Sequence, residues 1–210
     1  VHRHCCVLGG VSDVYRQVER GKVDSIIAEG FVRVEVAGVG EVMRMANRSG
    51  PAPVFDWTYR SVKGGYISCR AGLGTLTEQL SDKPNADYVF IIGNTDSDHP
   101  DLSLGATISA YSYRKAKVLL LSEAASRYIT EHPDGSGDHT THWENRAVLQ
   151  ERGDPGGEGT YALAVDDGRI VTCAGMGATV DLTLGLVGNH MSAAAVMTAA
   201  DILLHEKIRD

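Results

Sequence analysis

Two short runs, Tyr88-Val89-Phe90-Ile91-Ile92 and Val118-Leu119-Leu120-Leu121, carry no charged or strongly polar residue at any position. A strand with one wet face alternates apolar and polar residues, so an unbroken run of this length is the pattern of a strand covered on both faces. Parallel strands need crossover connections, and those crossovers are what cover the faces. The pair of runs therefore restricts the chain to α/β architectures with a mostly parallel sheet.

The surrounding sequence supplies the other parts. Asp24–Ala28, Phe55–Ser61, Tyr66–Arg70, Asp87–Ile92, Lys117–Leu121, Tyr161–Val165 and Arg169–Cys173 read as strands from their β-branched and aromatic content. Helical stretches at Val36–Asn47, Ser103–Lys115, Ser122–Glu131 and Glu144–Arg152 alternate with them, which points to a doubly wound sheet. Asp166-Asp167-Gly168 predicts a hairpin turn, because Asp-Gly tolerates positive φ, so the sheet is mixed near its end. Ser192–Lys207 predicts a helix capped by Ser192, with Ala195, Ala199, Ile202 and Leu203 on one face. Between these lies a conflict: Val180, Leu182, Leu184 and Leu186 alternate with Asp181, Thr183 and Gly185, a period of two that reads as strand.

The 210 residues fit one α/β domain, and no linker-like stretch divides them; Asp154–Gly159 reads as a Gly-rich loop within it. With 20 Lys+Arg against 27 Asp+Glu the net charge is −7 and no basic run occurs, which excludes strong phosphate-backbone binding by this chain itself. No apolar run approaches the roughly 18 residues that would span a bilayer. Residues 1–22 are broken by charges and glycines and do not read as a secretory signal, so the expected location is the cytoplasm. Cys5, Cys6, Cys69 and Cys173 form neither a disulfide framework nor a zinc spacing.

The common phosphate-loop, dinucleotide, zinc-protease and hydrolase signatures are absent. Four weaker candidates remain. Asp138-His139-Thr140-Thr141-His142-Trp143-Glu144 holds two imidazoles flanked by carboxylates, a possible metal-ligand set, against the plainer reading of a polar loop leading into a helix. Asp96, Asp98, His99 and Asp101 follow a buried strand, where ligands collect in such sheets, although solvated loop carboxylates are the favoured explanation. Ser122 sits at the sharp step from strand to helix, the place of a nucleophile, but lacks flanking glycines and reads as a helix N-cap. Cys173, before Ala174-Gly175-Met176-Gly177, reads as a buried, inert thiol.

Certain segments also match a known pattern in order and spacing: Gly30-Phe31, then Glu41-Val42-Met43-Arg44-Met45-Ala46-Asn47, Thr141-His142-Trp143-Glu144-Asn145, and Thr172-Cys173-Ala174-Gly175 followed by Asp181-Leu182. From about residue 24 onward the chain resembles the sensor half of AraC-type transcriptional regulators, a class I glutamine amidotransferase-like (PfpI-like) domain. The ending His205-Glu206-Lys207-Ile208-Arg209 is similar to that of the subgroup sensing glycine betaine, carnitine or arginine. The resemblance implies a flavodoxin-like, doubly wound fold for residues 23–210, with 1–22 an extension of unknown role. It turns 176–189 into a helix, against the period-two reading.

Counting back from Asp134-Gly135, the resemblance places Leu121 where the superfamily carries its reactive Cys and Glu123 where it carries Gly. Without a thiolate no covalent intermediate forms, so the implied domain is not an enzyme and uses no cofactor. The implied ligand pocket is lined by Gly93, Asn94, Leu121, Ser122, Glu123, His142 and Trp143. An acid beside an aromatic ring suits a cationic or zwitterionic metabolite. A homodimer is implied, with DNA reached only through a helix-turn-helix domain that would follow Asp210. The competing expectation is a small hydrolase or metal-dependent enzyme built on Asp138, His139, His142 and the Asp96–Asp101 loop.

Overall fold

The computed structural model describes residues 20–94, 102–132, 138–145, 147 and 162–205. The extension up to residue 19, the Asp96–Asp101 cluster, Asp134-Gly135, the Asp154–Gly159 loop, most of the expected helix 144–152 and the ending 206–210 lie outside the described residues.

Eight strands form one sheet: β1 (Gly21–Ile26), β2 (Phe55–Ser61), β3 (Gly65–Ser68), β4 (Gly74–Gln79), β5 (Tyr88–Ile91), β6 (Lys117–Leu121), β7 (Ala164–Asp167) and β8 (Ile170–Cys173). Their order is β3-β4-β2-β1-β5-β6-β8-β7. The six inner strands are parallel, while β3 and β7 close the two edges antiparallel. Among the described residues the α-helices with stated bounds are α1 (Arg33–Ser49), α2 (Leu104–Tyr113), α3 (Glu123–Glu131), α4 (Ala178–Val187) and α5 (Ala193–Ile202). This is the doubly wound, mostly parallel sheet expected.

The two apolar runs do what their composition requires. Phe90, Leu119 and Leu121 point into the layer shared with α1, α4 and α5. Val89, Ile91, Val118 and Leu120 point into the opposite layer, shared with α2 and α3. Each strand thus needs an apolar residue at every position, because successive side chains face opposite cores.

Helix α1 carries Val36, Val39, Val42, Met43 and Ala46 on its buried face, at the spacing of a helical stripe. Its end is fastened by Asn47, whose Oδ1 accepts the Val54 and Phe55 amides at 2.8 and 2.9 Å. The Asn47 amide donates to the Phe55 carbonyl at 2.8 Å. Three bonds thereby fix where β2 starts. Asn47→Ala is expected to cost about 2–3 kcal/mol, from three lost hydrogen bonds at roughly 1 kcal/mol each, read as a lower urea midpoint with unchanged slope.

The period-two segment is helix α4, as the resemblance implies and the alternation does not. Its buried residues include Asp181 and Thr183 besides Leu184, Leu186 and Val187, and the Thr183 hydroxyl donates to the Thr179 carbonyl at 2.6 Å. Asp181 is met by His205 Nε2 at 2.7 Å, so both polar side chains find partners and are tolerated on the buried side, and the apolar periodicity is blurred. Strand β4 is absent from the sequence reading. Its Thr75-Leu76-Thr77 pattern contains one apolar residue, and Leu76 is largely exposed. Helix α5 begins as expected, with the Ser192 hydroxyl accepting the Ala195 amide at 3.3 Å.

Candidate functional site

The carboxyl ends of β5, β6 and β8 converge on the step between β6 and α3. Ser122 occupies that step with φ 45° and ψ −111°, a conformation rare for a residue with a Cβ. Leu121, where the resemblance puts the reactive position, is the last residue of β6, and its side chain is wholly buried in the α1-side core. The strained turn thus lies one residue further along, and Leu121 reaches a pocket at this end of the sheet through its backbone alone. Nor does Ser122 cap α3 with its side chain, as the N-cap reading expects. Its hydroxyl donates instead to Glu35 Oε1, with the Ala174 carbonyl at 3.4 Å as a second acceptor.

Glu35 is the residue that the sequence reading omits. It lies in the first turn of α1 and is fully buried. Its Oε2 accepts the Gly93 amide at 2.9 Å and its Oε1 the Met176 amide at 3.1 Å. One carboxyl therefore links α1, the turn after β5, the turn after β6 and the loop after β8. Burial pushes the Glu35 carboxyl above its ordinary range; the bonds from Ser122, Gly93 and Met176 oppose the shift, and the nearby charge of Glu123 adds to it. The signal was present: Glu35 falls in register with Val39, Val42 and Ala46 on the apolar stripe, and a lone carboxylate there needs partners.

Two glycines make the space. A Cβ at Gly175, which has φ +74°, would overlap Ser122 Oγ and Glu35 Oε1. One at Gly93 would lie 2.8 Å from Ser122 Cβ and 3.0 Å from Glu35 Oε2. The small residues after Cys173 are thus required by close packing, and the thiol itself is pushed up to about 12 by burial, which leaves it inert at neutral pH.

The Thr-Thr-His-Trp-Glu-Asn segment is held against this turn by its threonines. The Thr141 hydroxyl donates to the Ser122 carbonyl at 2.9 Å and also meets the Ser126 hydroxyl, while the Thr140 hydroxyl donates to the Ala162 carbonyl at 2.8 Å. These anchors place His142 and the short 3-10 helix Trp143–Asn145, whose Asn145 amide donates to Glu123 Oε1 at 3.1 Å. Trp143 is 65% exposed, its ring 5.7 Å from that of His142. His142 Nδ1 lies 3.5 Å from Glu144 Oε2.

The named pocket residues therefore divide. Gly93 and Ser122 meet at Glu35; Glu123 is bonded by Asn145, which follows His142 and Trp143 in the same segment. Asn94 is buried and its amide donates to the Glu29 carbonyl at 2.5 Å. Among the described residues no three His, Cys, Asp or Glu side chains stand where they could share a metal ion. His139 is buried edge-on against Tyr128, with ring centroids 5.5 Å apart. No helix among the described residues is long and apolar enough to cross a membrane.

No protein-family model matches the chain. Among curated proteins it is similar to the HTH-type transcriptional regulator GlxA of Rhizobium meliloti (strain 1021), 24% identical over 198 residues, which is 93% of this chain and 60% of that protein. It is also similar to the HTH-type transcriptional regulator GbdR of Pseudomonas aeruginosa, 22% identical over 187 residues, 88% of this chain and 51% of that protein. The chain thus spans a little over half the length of the curated relatives it matches. Among solved structures, an AraC family transcriptional regulator from Pseudomonas putida has a TM-score of 0.73 at 22% identity, covering 87% of this chain and 99% of that one. A ThiJ/PfpI family protein from Pseudomonas syringae has a TM-score of 0.70 at 16% identity, covering 97% and 84% respectively. The fold is that of the PfpI-like, class I glutamine amidotransferase-like proteins.

Proposed function

We propose that this chain is the ligand-sensing and dimerising part of an AraC-type transcriptional regulator, without catalytic activity and working in the cytoplasm. The observation that carries the reading is the alignment: nearly the whole chain matches little more than half of a helix-turn-helix regulator. DNA would be contacted through a helix-turn-helix domain outside this chain, which agrees with the net charge of −7 here.

The chemistry of the turn supports a non-catalytic role. A serine nucleophile needs a base to take its proton. The Ser122 hydroxyl instead faces a carboxyl that burial holds toward its neutral form, and it is itself buried. The hydroxyl is thus held inside the packing against a carboxyl poorly suited to take its proton.

The effector in this reading is a small cationic or zwitterionic metabolite such as glycine betaine, carnitine or arginine. Glu123 at the head of α3, bonded by the Asn145 amide, and the exposed ring of Trp143, two residues before Asn145, supply a carboxylate and an aromatic face. Cation–π and charge contacts of about 1 kcal/mol each correspond to roughly fivefold in affinity. Calorimetry with those three compounds should find one that binds, and Glu123→Gln and Trp143→Ala should each weaken it about fivefold or more. Unchanged affinity in both variants would remove the effector from this end of the sheet.

A further inference from the structure

Among the described residues four that are not glycine take a positive φ: Lys115 at 64°, Ser122 at 45°, Met176 at 50° and Leu204 at 56°. A residue with a Cβ holds such a conformation only where its surroundings impose it, and such positions gather at switch regions. Three of the four lie on one connected course. Ser122 donates to Glu35, and Glu35 accepts the Met176 amide at 3.1 Å. The Gly175 and Met176 carbonyls then accept the Ala178 and Thr179 amides, at 3.0 and 3.1 Å, which ties both residues rigidly to the start of α4. Asp181, in the first turn of α4, meets His205 Nε2 at 2.7 Å, and His205 is the residue after Leu204.

Each part of this course is held away from its most favourable arrangement. Thr179, between Met176 and Asp181, is wholly buried, yet its hydroxyl meets no hydrogen-bond partner, a costly state for a polar atom. Leu204 fills the left-handed position that closes α5, where glycine is usual, and it is 87% exposed, so packing contributes little to holding it. Two backbone bonds hold the turn, from the Leu204 amide to the Asp201 carbonyl at 3.0 Å and from the His205 amide to the Ala200 carbonyl at 2.9 Å. The contact of His205 with Asp181 adds a third hold, on α4. In the opposite layer of the sheet, the end of α2 closes by the same two backbone bonds, from Lys115 to Ser112 at 2.9 Å and from Ala116 to Tyr111 at 3.1 Å.

We infer that the Asp181–His205 pair is a latch coupling the turn at Ser122 to the segment after α5, with α4 as the rigid part between them. A ligand seated beside Ser122 alters the hold of Glu35 on Met176, and the start of α4 moves with Met176. Asp181 then shifts against His205, and release of His205 lets Leu204 leave its strained conformation. For its purpose the latch rests on the sensor reading, in which the segment after α5 leads toward the helix-turn-helix domain. Linkage makes the coupling reciprocal, so opening the latch loosens the bonds at Glu35.

The test is amide hydrogen exchange, followed by NMR, on the 210-residue chain. His205→Ala should speed exchange of the Leu204 amide about tenfold, from loss of the bond to a carboxylate. It should also speed the Gly93 and Met176 amides, the two that Glu35 accepts, about threefold. Ser122→Ala should act in the other direction, speeding Gly93 and Met176 most and Leu204 about threefold. The Lys115 and Ala116 amides should keep their wild-type rates in both variants. Asp181→Asn, which preserves the shape of the side chain, should repeat the pattern of His205→Ala. A His205→Ala protein in which Leu204 alone exchanges faster overturns the coupling and leaves the pair as a fastening of α5. Equal acceleration at Lys115 and Ala116 overturns it too, because the whole fold would then have loosened. No effector enters either arm, so failure here leaves the sensor reading to calorimetry, and failure of calorimetry leaves the coupling standing.

Discussion

Gly175→Ala is expected to be the most damaging alanine substitution among the described glycines, with a loss of about 4 kcal/mol or more. Two costs add. The position has φ +74°, which a residue with a Cβ adopts at roughly 1 kcal/mol or more. The new methyl would also occupy space held by Ser122 Oγ and Glu35 Oε1, and neither can withdraw. Ser122 is fixed by the strained turn, and Glu35 by amides from two other loops. Chemical denaturation should show a markedly lower midpoint or failure to accumulate folded protein. Ser122→Gly removes the nearer of the two atoms and should recover part of the loss, a non-additivity expected of sites in contact. A Gly175→Ala protein of near wild-type stability would mean that the loop after β8 does not pack on Glu35.

Removing the carboxyl itself is the second large effect. Glu35→Ala leaves the Gly93 and Met176 amides without their acceptor and opens a void under the Ser122 turn, for about 3–5 kcal/mol. Glu35→Gln keeps the shape but sets an amide N–H against one of those donors, for about 1–2 kcal/mol. The two variants differ further in pH dependence. Because the folded pKa is raised, the folded state favours protonated Glu35. The stability this gives the wild type is fully present below the unfolded carboxylate pKa and is lost as pH rises through the folded value. Glutamine is neutral throughout, so the deficit of Glu35→Gln should shrink as pH is raised over that window. A deficit that instead grows with pH would mean that the carboxylate form is the one the site favours.

Much of the frame was legible in the residues. The two runs around Phe90 and Leu119 required a sheet covered on both faces, and the stripe from Val36 to Ala46 required a helix to cover one of them. Asp-Gly at 167–168 gave the final hairpin, which pairs Asp167 with Ile170. What failed did so where pattern and burial part company. Leu76 stands in water on a hairpin, so β4 had no apolar signature. Asp181 and Thr183 are buried in α4, so its leucines alone gave a false period.

The candidate site was legible as a place and illegible as a network. Strand ends in a doubly wound sheet define where a site forms, and it was the step from strand to helix that singled out Ser122, while the resemblance named Gly93 and the Thr-Thr-His-Trp segment. Which residue takes the strained conformation depends on where β6 stops pairing with β8, at Leu121 opposite Cys173, and the residue pattern does not fix that point. That Glu35 meets Ser122 depends on contact between residues 87 positions apart. Sequence alone determined the layers, because burial of a strand or helix face is written locally in its periodicity. Only the tertiary structure decided the partners of Glu35, because a buried carboxyl is satisfied by whatever donors the folded chain brings to it, and their distance along the sequence carries no trace of that meeting.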